Sequence, residues 1–184
     1  MRVGGWAVKS EPERTGPYGR ESLPRFSLPV TDYKIEKYRC PATLILNDGR
    51  TLSGEIFLQA VSRFRLAPQD PAEFFNDNDA YFVLAPTYDE RILVSKSSVA
   101  VAETPLPSAE PDDHIDSAHV GLGIEVQVLG GITCAGWVFP EKTPGRARLL
   151  DHLNTYGARF LVLFDNEKTT LVNRTAIAHV RESD

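Results

Sequence analysis

A repeat constrains this chain more than any other feature. Residues 44–57 read LILNDGRTLSGEIF and residues 126–139 read VQVLGGITCAGWVF. At a shift of 82 positions Gly49 falls on Gly131, Thr51 on Thr133, Gly54 on Gly136 and Phe57 on Phe139. Further along, Phe82-Val83-Leu84 falls on Leu161-Val162-Leu163 at a shift of 79. Val94-Ser95-Lys96 falls on Val172-Asn173-Arg174 at a shift of 78. Matches that keep their order over most of both segments mean one unit used twice. The 184 residues then divide into an arm (1–32), a first module (33–104), a linker (105–119) and a second module (120–184).

Each copy reads as the same run of elements. A first strand is expected near 42–46 and 124–128. Asn47-Asp48-Gly49 and Leu129-Gly130-Gly131 follow, with the glycines a tight hairpin needs. The second strand, near 51–58 and 133–139, carries Gly54 and Gly136 in its middle. A glycine inside a strand marks a bend or a close backbone approach. A short helix is expected over 70–76, with Asp70 as N-cap and Pro71 at the first helical position. Its counterpart is 148–154. Asn76 and Asn154 would close these helices in the left-handed conformation that Asn tolerates. Apolar runs at 80–84 and 159–164 predict third strands covered on both faces. Fourth strands near 91–96 and 169–174 lead through a very short break to fifth strands near 99–102 and 177–180. Five short strands with one helix predict a mostly-β fold of two small closed barrels in tandem.

Charge is unevenly placed. The linker carries four acidic groups and no basic one, most of the net charge of −5. Neither module is strongly basic, so the bulk signature of a dedicated nucleic-acid binder is missing. No apolar run approaches the roughly 20 residues that span a bilayer. Residues 1–13 hold Arg2, Lys9, Glu11 and Glu13, which does not fit a secretory signal. The cytoplasm is the expected location, with Cys40 and Cys134 as reduced thiols. The arm, with Pro12, Pro17, Pro24 and Pro29, predicts an extended or mobile segment.

LILNDGRTLSGEI resembles the first signature of the Sm-like fold, which includes the bacterial Hfq-type proteins. LVSKSSVAVAE and LVNRTAIAHVRE look like the Hfq-type end, where a basic residue follows the fourth strand. The resemblance implies two Sm-like, SH3-like five-stranded barrels, each with a short helix between strands two and three. It also implies assembly by the last strand of one module adding to the fourth strand of the next. A tandem pair would join one such edge internally and leave one open at each end. RNA binding is the alternative function it implies. Lys96-Ser97 and Arg174-Thr175 keep the charge of the family's Lys-His pair but lack the imidazole. The base-holding turn between strands two and three is replaced by a longer connection with a helix. RLLDHLN followed by RFLVLFD also resembles an uncharacterised bacterial family of unknown function.

The candidate site residues follow from position and type. Lys96 and Arg174 are equivalent, and fit either a phosphate contact in each module or a charged strand end beside a turn. Lys142, Arg146 and Arg148 form the densest basic cluster, a patch for an anion or an acidic partner. Trp137 and Phe139 share one face of a strand. They could stack on bases, bury against a partner, or pack one module on the other. The acids and histidines of 112–119 match no established metal spacing. No phosphate loop, G-x-S-x-G elbow or H-E-x-x-H is present. The expectation is therefore a non-enzymatic module with no cofactor or metal. It would assemble with a protein partner or with itself through strand edges.

Overall fold

Alternation sets the first strand. In β1 (Lys37–Leu46) Cys40, Ala42, Leu44 and Leu46 all point inward, two residues apart. The computed structural model describes residues 36–64, 66–106, 121–140 and 149–183. These lie in one compact unit, Lys34–Asp184. The arm 1–32, most of the linker, and Lys142, Arg146 and Arg148 lie outside the described residues.

The first half continues with β2 (Thr51–Gln59), helix α1 (Pro71–Asn76), β3 (Tyr81–Ala85), β4 (Ile92–Ser95) and β5 (Val99–Pro105). A 3-10 turn, Lys96–Ser98, joins β4 to β5. The second half repeats the order as β6 (Leu122–Val128), β7 (Thr133–Val138), α2 (Leu149–Thr155), β8 (Phe160–Phe164), β9 (Lys168–Asn173) and β10 (Ile177–Glu182). Its 3-10 turn is Arg174–Ala176. All ten strands form one antiparallel sheet in the order β10-β6-β7-β8-β9-β5-β1-β2-β3-β4. Within each half the fifth strand lies outside the first, and the fourth is at the far end.

The two halves share register as well as order. Ala42 pairs with Gly54 as Ile124 pairs with Gly136. Val83 pairs with Leu93 as Val162 pairs with Leu171. The first and fifth strands of both halves carry an irregularity at the same place, beside Leu46 and beside Ile177. Asn47 N bonds Ser98 O as Leu129 N bonds Ala176 O.

Gly54 and Gly136 act through close approach. A Cβ on Gly54 would sit 2.6 Å from Ala85 O, and one on Gly136 would sit 3.0 Å from Phe164 O. Only a bare backbone lets the second strand cross the third there. Asp70 caps α1 as expected, its Oδ1 accepting from Glu73 N at 2.7 Å.

Three expectations need correction. Neither half closes by hydrogen bonds, because the fourth strand of each does not pair with its own fifth. A strand has two edges, and those of β5 are taken by β1 and β9. Asn76 does not end its helix in a left-handed conformation. The capping residue is Asp77, with extended backbone at φ −69°, and the Asn76 amide is engaged elsewhere. The second helix runs one residue past Asn154, to Thr155. With the two helix ends aligned, Asn154 is the counterpart of Phe75, and Thr155 that of Asn76.

Candidate interaction surfaces

The joint between the halves is built by strand addition. β5 and β9 pair over five residues, with Ala102 opposite Leu171 and Thr104 opposite Thr169. β5 is the last strand of its half and β9 the fourth of the other. An exposed strand edge presents unpaired N–H and C=O groups, and a second strand satisfies them. Pairing of such edges, as expected from the sequence, is what joins the halves.

Side chains then fasten the joint. Phe75 on α1 packs edge-on against Phe160 of β8, with ring centres 5.3 Å apart. Both rings are fully buried, and Phe160 and Leu171 belong to the first half's core. In return Ala100 and Val101 of β5 belong to the second half's core. The Asn76 amide grips one peptide unit on each side of Phe160: its Oδ1 accepts from Phe160 N at 2.7 Å and its Nδ2 donates to Phe160 O at 3.2 Å. Asn173, also buried, donates from Nδ2 to Val99 O at 2.9 Å. Lys168 pairs with Glu103 across the joint at 2.5 Å, and that bond holds the ammonium above its ordinary pKa. An open groove of about 300 Å3 runs over this pair, between Ser53, Gly54 and Thr104.

The sheet ends on two outer edges, β4 and β10. β10 pairs only with β6 and β4 only with β3, so among the described residues nothing pairs with the outer side of either. Leu93 of β4 is 76% exposed and Tyr81 of β3 is 65% exposed. They share one face, since Tyr81 lies opposite Ser95 and Val83 opposite Leu93. Glu90, Arg91 and Glu182 are exposed, and among the described residues they form no ion pair.

Lys96 and Arg174 are equivalent, as expected, but both are committed inside the fold. Lys96 is fully buried. Its Nζ donates to Phe74 O and to Asp77 Oδ1, and sits 5.1 Å from the centre of the Phe74 ring. Burial pushes its pKa down, while Asp77 opposes the shift. Arg174 spreads over the end of α2, donating to Tyr156 O, to Leu153 O at 2.9 Å and to Ala158 O at 3.5 Å. Each cation therefore satisfies carbonyls left over at a helix C-terminus. A phosphate would have to compete with those partners.

Trp137 and Phe139 are both exposed, at 53% and 41%. Phe139 leans on Phe164, with ring centres 5.8 Å apart. They do not pack one half on the other: that role falls to Phe75, Phe160 and Leu171. Cys40 and Cys134 are free and buried, and burial raises both thiols above their ordinary value. Among the described residues no helix is long and apolar enough to cross a membrane. No family model, no curated protein and no solved structure matches the chain.

Proposed function

We propose that this protein is a non-enzymatic assembly module. It is a duplicated, Sm-like five-stranded unit that joins proteins by strand addition at its outer edges. One observation carries the reading. The internal joint pairs the last strand of one half with the fourth strand of the other, and the counterparts of both strands form the two outer edges. The fold thus already contains one working example of the contact it offers.

The chemistry of the rest supports the same reading. A thiol raised by burial stays protonated at neutral pH and is a poor nucleophile. Reduced, buried cysteines suit the cytoplasm as the place of action. RNA binding is the weaker alternative, because Lys96 and Arg174 already serve helix carbonyls.

A photo-crosslinking residue placed at Leu93 tests the proposal in cells. The expected outcome is a light-dependent adduct of higher mass. The same residue at Leu129, an exposed turn position, should give none. Equal labelling at both sites, or none at Leu93, sinks the assembly reading.

A further inference from the structure

We infer that the partner at the outer edges is a second copy of this chain, docked head to tail so that β10 of one copy adds to β4 of the next in the register of the internal joint. This rests on the assembly reading above and names its partner.

The register can be transposed position by position. β4 aligns with β9, and β10 with β5, both at a shift of 78. Ala102 opposite Leu171 becomes Val180 opposite Leu93. The apolar contact is kept, which accounts for a leucine left 76% exposed at an open edge. Thr104 opposite Thr169 becomes Glu182 opposite Arg91. Those threonines are buried, and among the described residues their hydroxyls have no hydrogen-bond partner. Their counterparts would form an ion pair between copies.

The diagonal pair carries the argument furthest. At the internal joint the acid lies on the fifth strand (Glu103) and the base on the fourth (Lys168). At the outer edges the fifth strand carries the base, Arg181, and Glu90 precedes the fourth. The signs are exchanged and the complementarity survives. Arg181 now bonds Glu125 on the neighbouring strand, and its fork of donors can serve a second carboxylate. The aromatic contact changes in the same concerted way. Phe75 against Phe160 has Asn154 and Tyr81 as its counterparts, and an amide facing a phenol can hydrogen-bond where two rings packed.

Exchanged signs also specify which edges meet. Glu103 on the internal fifth strand would face Glu90 if the wrong ends paired, and like charges across strands are unfavourable. The contact is heterologous, so an open assembly keeps one free β4 edge and one free β10 edge, and it either closes into a ring or grows as a filament.

Light scattering of the purified full chain tests this. The wild type should show a mass of several chains of 20.4 kDa. Leu93→Lys should reduce the mass to that of one chain and leave the far-ultraviolet circular dichroism unchanged. Exchanging one side's signs, with Glu90→Arg and Arg91→Glu, should also give single chains. Adding Arg181→Glu and Glu182→Arg to that variant should restore the larger mass. A wild type that stays at one chain's mass at its highest soluble concentration overturns the inference. So does an assembly untouched by Leu93→Lys, or a four-site exchange that fails to restore the mass while its far-ultraviolet circular dichroism matches that of the wild type. A crosslink from position 93 to some other protein would overturn this inference and leave the assembly reading standing.

Discussion

The two halves place equivalent residues in opposite surroundings. Phe160 and Leu171 have no exposed surface, whereas Tyr81 and Leu93 at the same register positions face solvent. The backbone is not the cause, since the strand pairs are the same in both. The difference lies in what covers the face. β8 and β9 receive α1 and β5 of the other half, and β3 and β4 receive nothing among the described residues. One fold therefore shows the same surface docked and undocked. The identities have drifted to suit: Phe where the surface is closed, Tyr where it is open.

Truncating the two aromatics is the most severe way to break this comparison. Phe160→Ala deletes a fully buried ring that touches Phe75, and removal of such a ring costs about 3–5 kcal/mol. It also slackens the segment that the Asn76 amide grips. Tyr81→Ala should change the stability of a single chain by no more than about 0.5 kcal/mol, as for surface substitutions generally. Urea unfolding of both variants, in the Leu93→Lys background to suppress self-association, measures the two costs. Similar losses would mean that the halves are not docked as described.

A smaller effect sharpens the comparison at the helix ends. Both halves use a cation to satisfy helix carbonyls, with different geometry. Lys96 is a point charge sealed under Phe74 and paired with Asp77. Arg174 is a half-buried fork over the end of α2. Lys96→Met keeps the stem and strands a carbonyl beside a carboxylate, a loss of about 1–3 kcal/mol. Arg174→Met exposes carbonyls that water can reach, so about 1 kcal/mol is expected. Thermal unfolding of the two variants should rank them in that order. A larger loss for Arg174→Met would mean that water does not replace the guanidinium.

Much of the fold was legible because local chemistry and tertiary demands agreed. Glycines at fixed offsets marked hairpins and crossings. The Asp70-Pro71 pair opened α1, and the apolar run at Tyr81–Ala85 gave a strand covered over most of its length. The docking residues were harder to see. Phe160, Leu171 and Asn76 belong to types that fill any core or end any helix, and only their non-local partners distinguish them. The aromatics chosen from the sequence, Trp137 and Phe139, were conspicuous because they alternate, but they stayed on the surface. Lys96 and Arg174 were found as a pair by the repeat, yet charge alone gave no sign that they face inward. A signal for the joint was present all the same. Glu103 and Lys168, set beside Arg181 and Glu90, show the sign exchange in the sequence itself. It becomes visible once strand order says which positions meet.

The smallest expected effect concerns acid, where the halves differ by a single turn. Asp165 precedes β9, and its Oδ1 accepts from Glu167 N and Lys168 N, both at 2.7 Å. Those bonds favour the carboxylate and lower its pKa below the ordinary value. The equivalent turn of the first half, between β3 and β4, has Pro86 and Thr87 at the aligned positions. The first half has its own depressed acid in another turn, Asp48, held down by Arg50. A group whose pKa is lower in the folded state adds stability above its unfolded pKa, and that stability is lost as pH falls through the folded pKa. Asp165→Asn keeps an acceptor oxygen and removes the charge. The side chain sits close to solvent, so the loss at neutral pH should be no more than about 1 kcal/mol. Urea midpoints of the wild type and Asp165→Asn, compared from about pH 6 down to about pH 2, should converge as the wild-type carboxylate takes up its proton. A gap that stays constant over that range would show that Asp165 acts through shape alone, and the two halves would then not differ in acid through this turn.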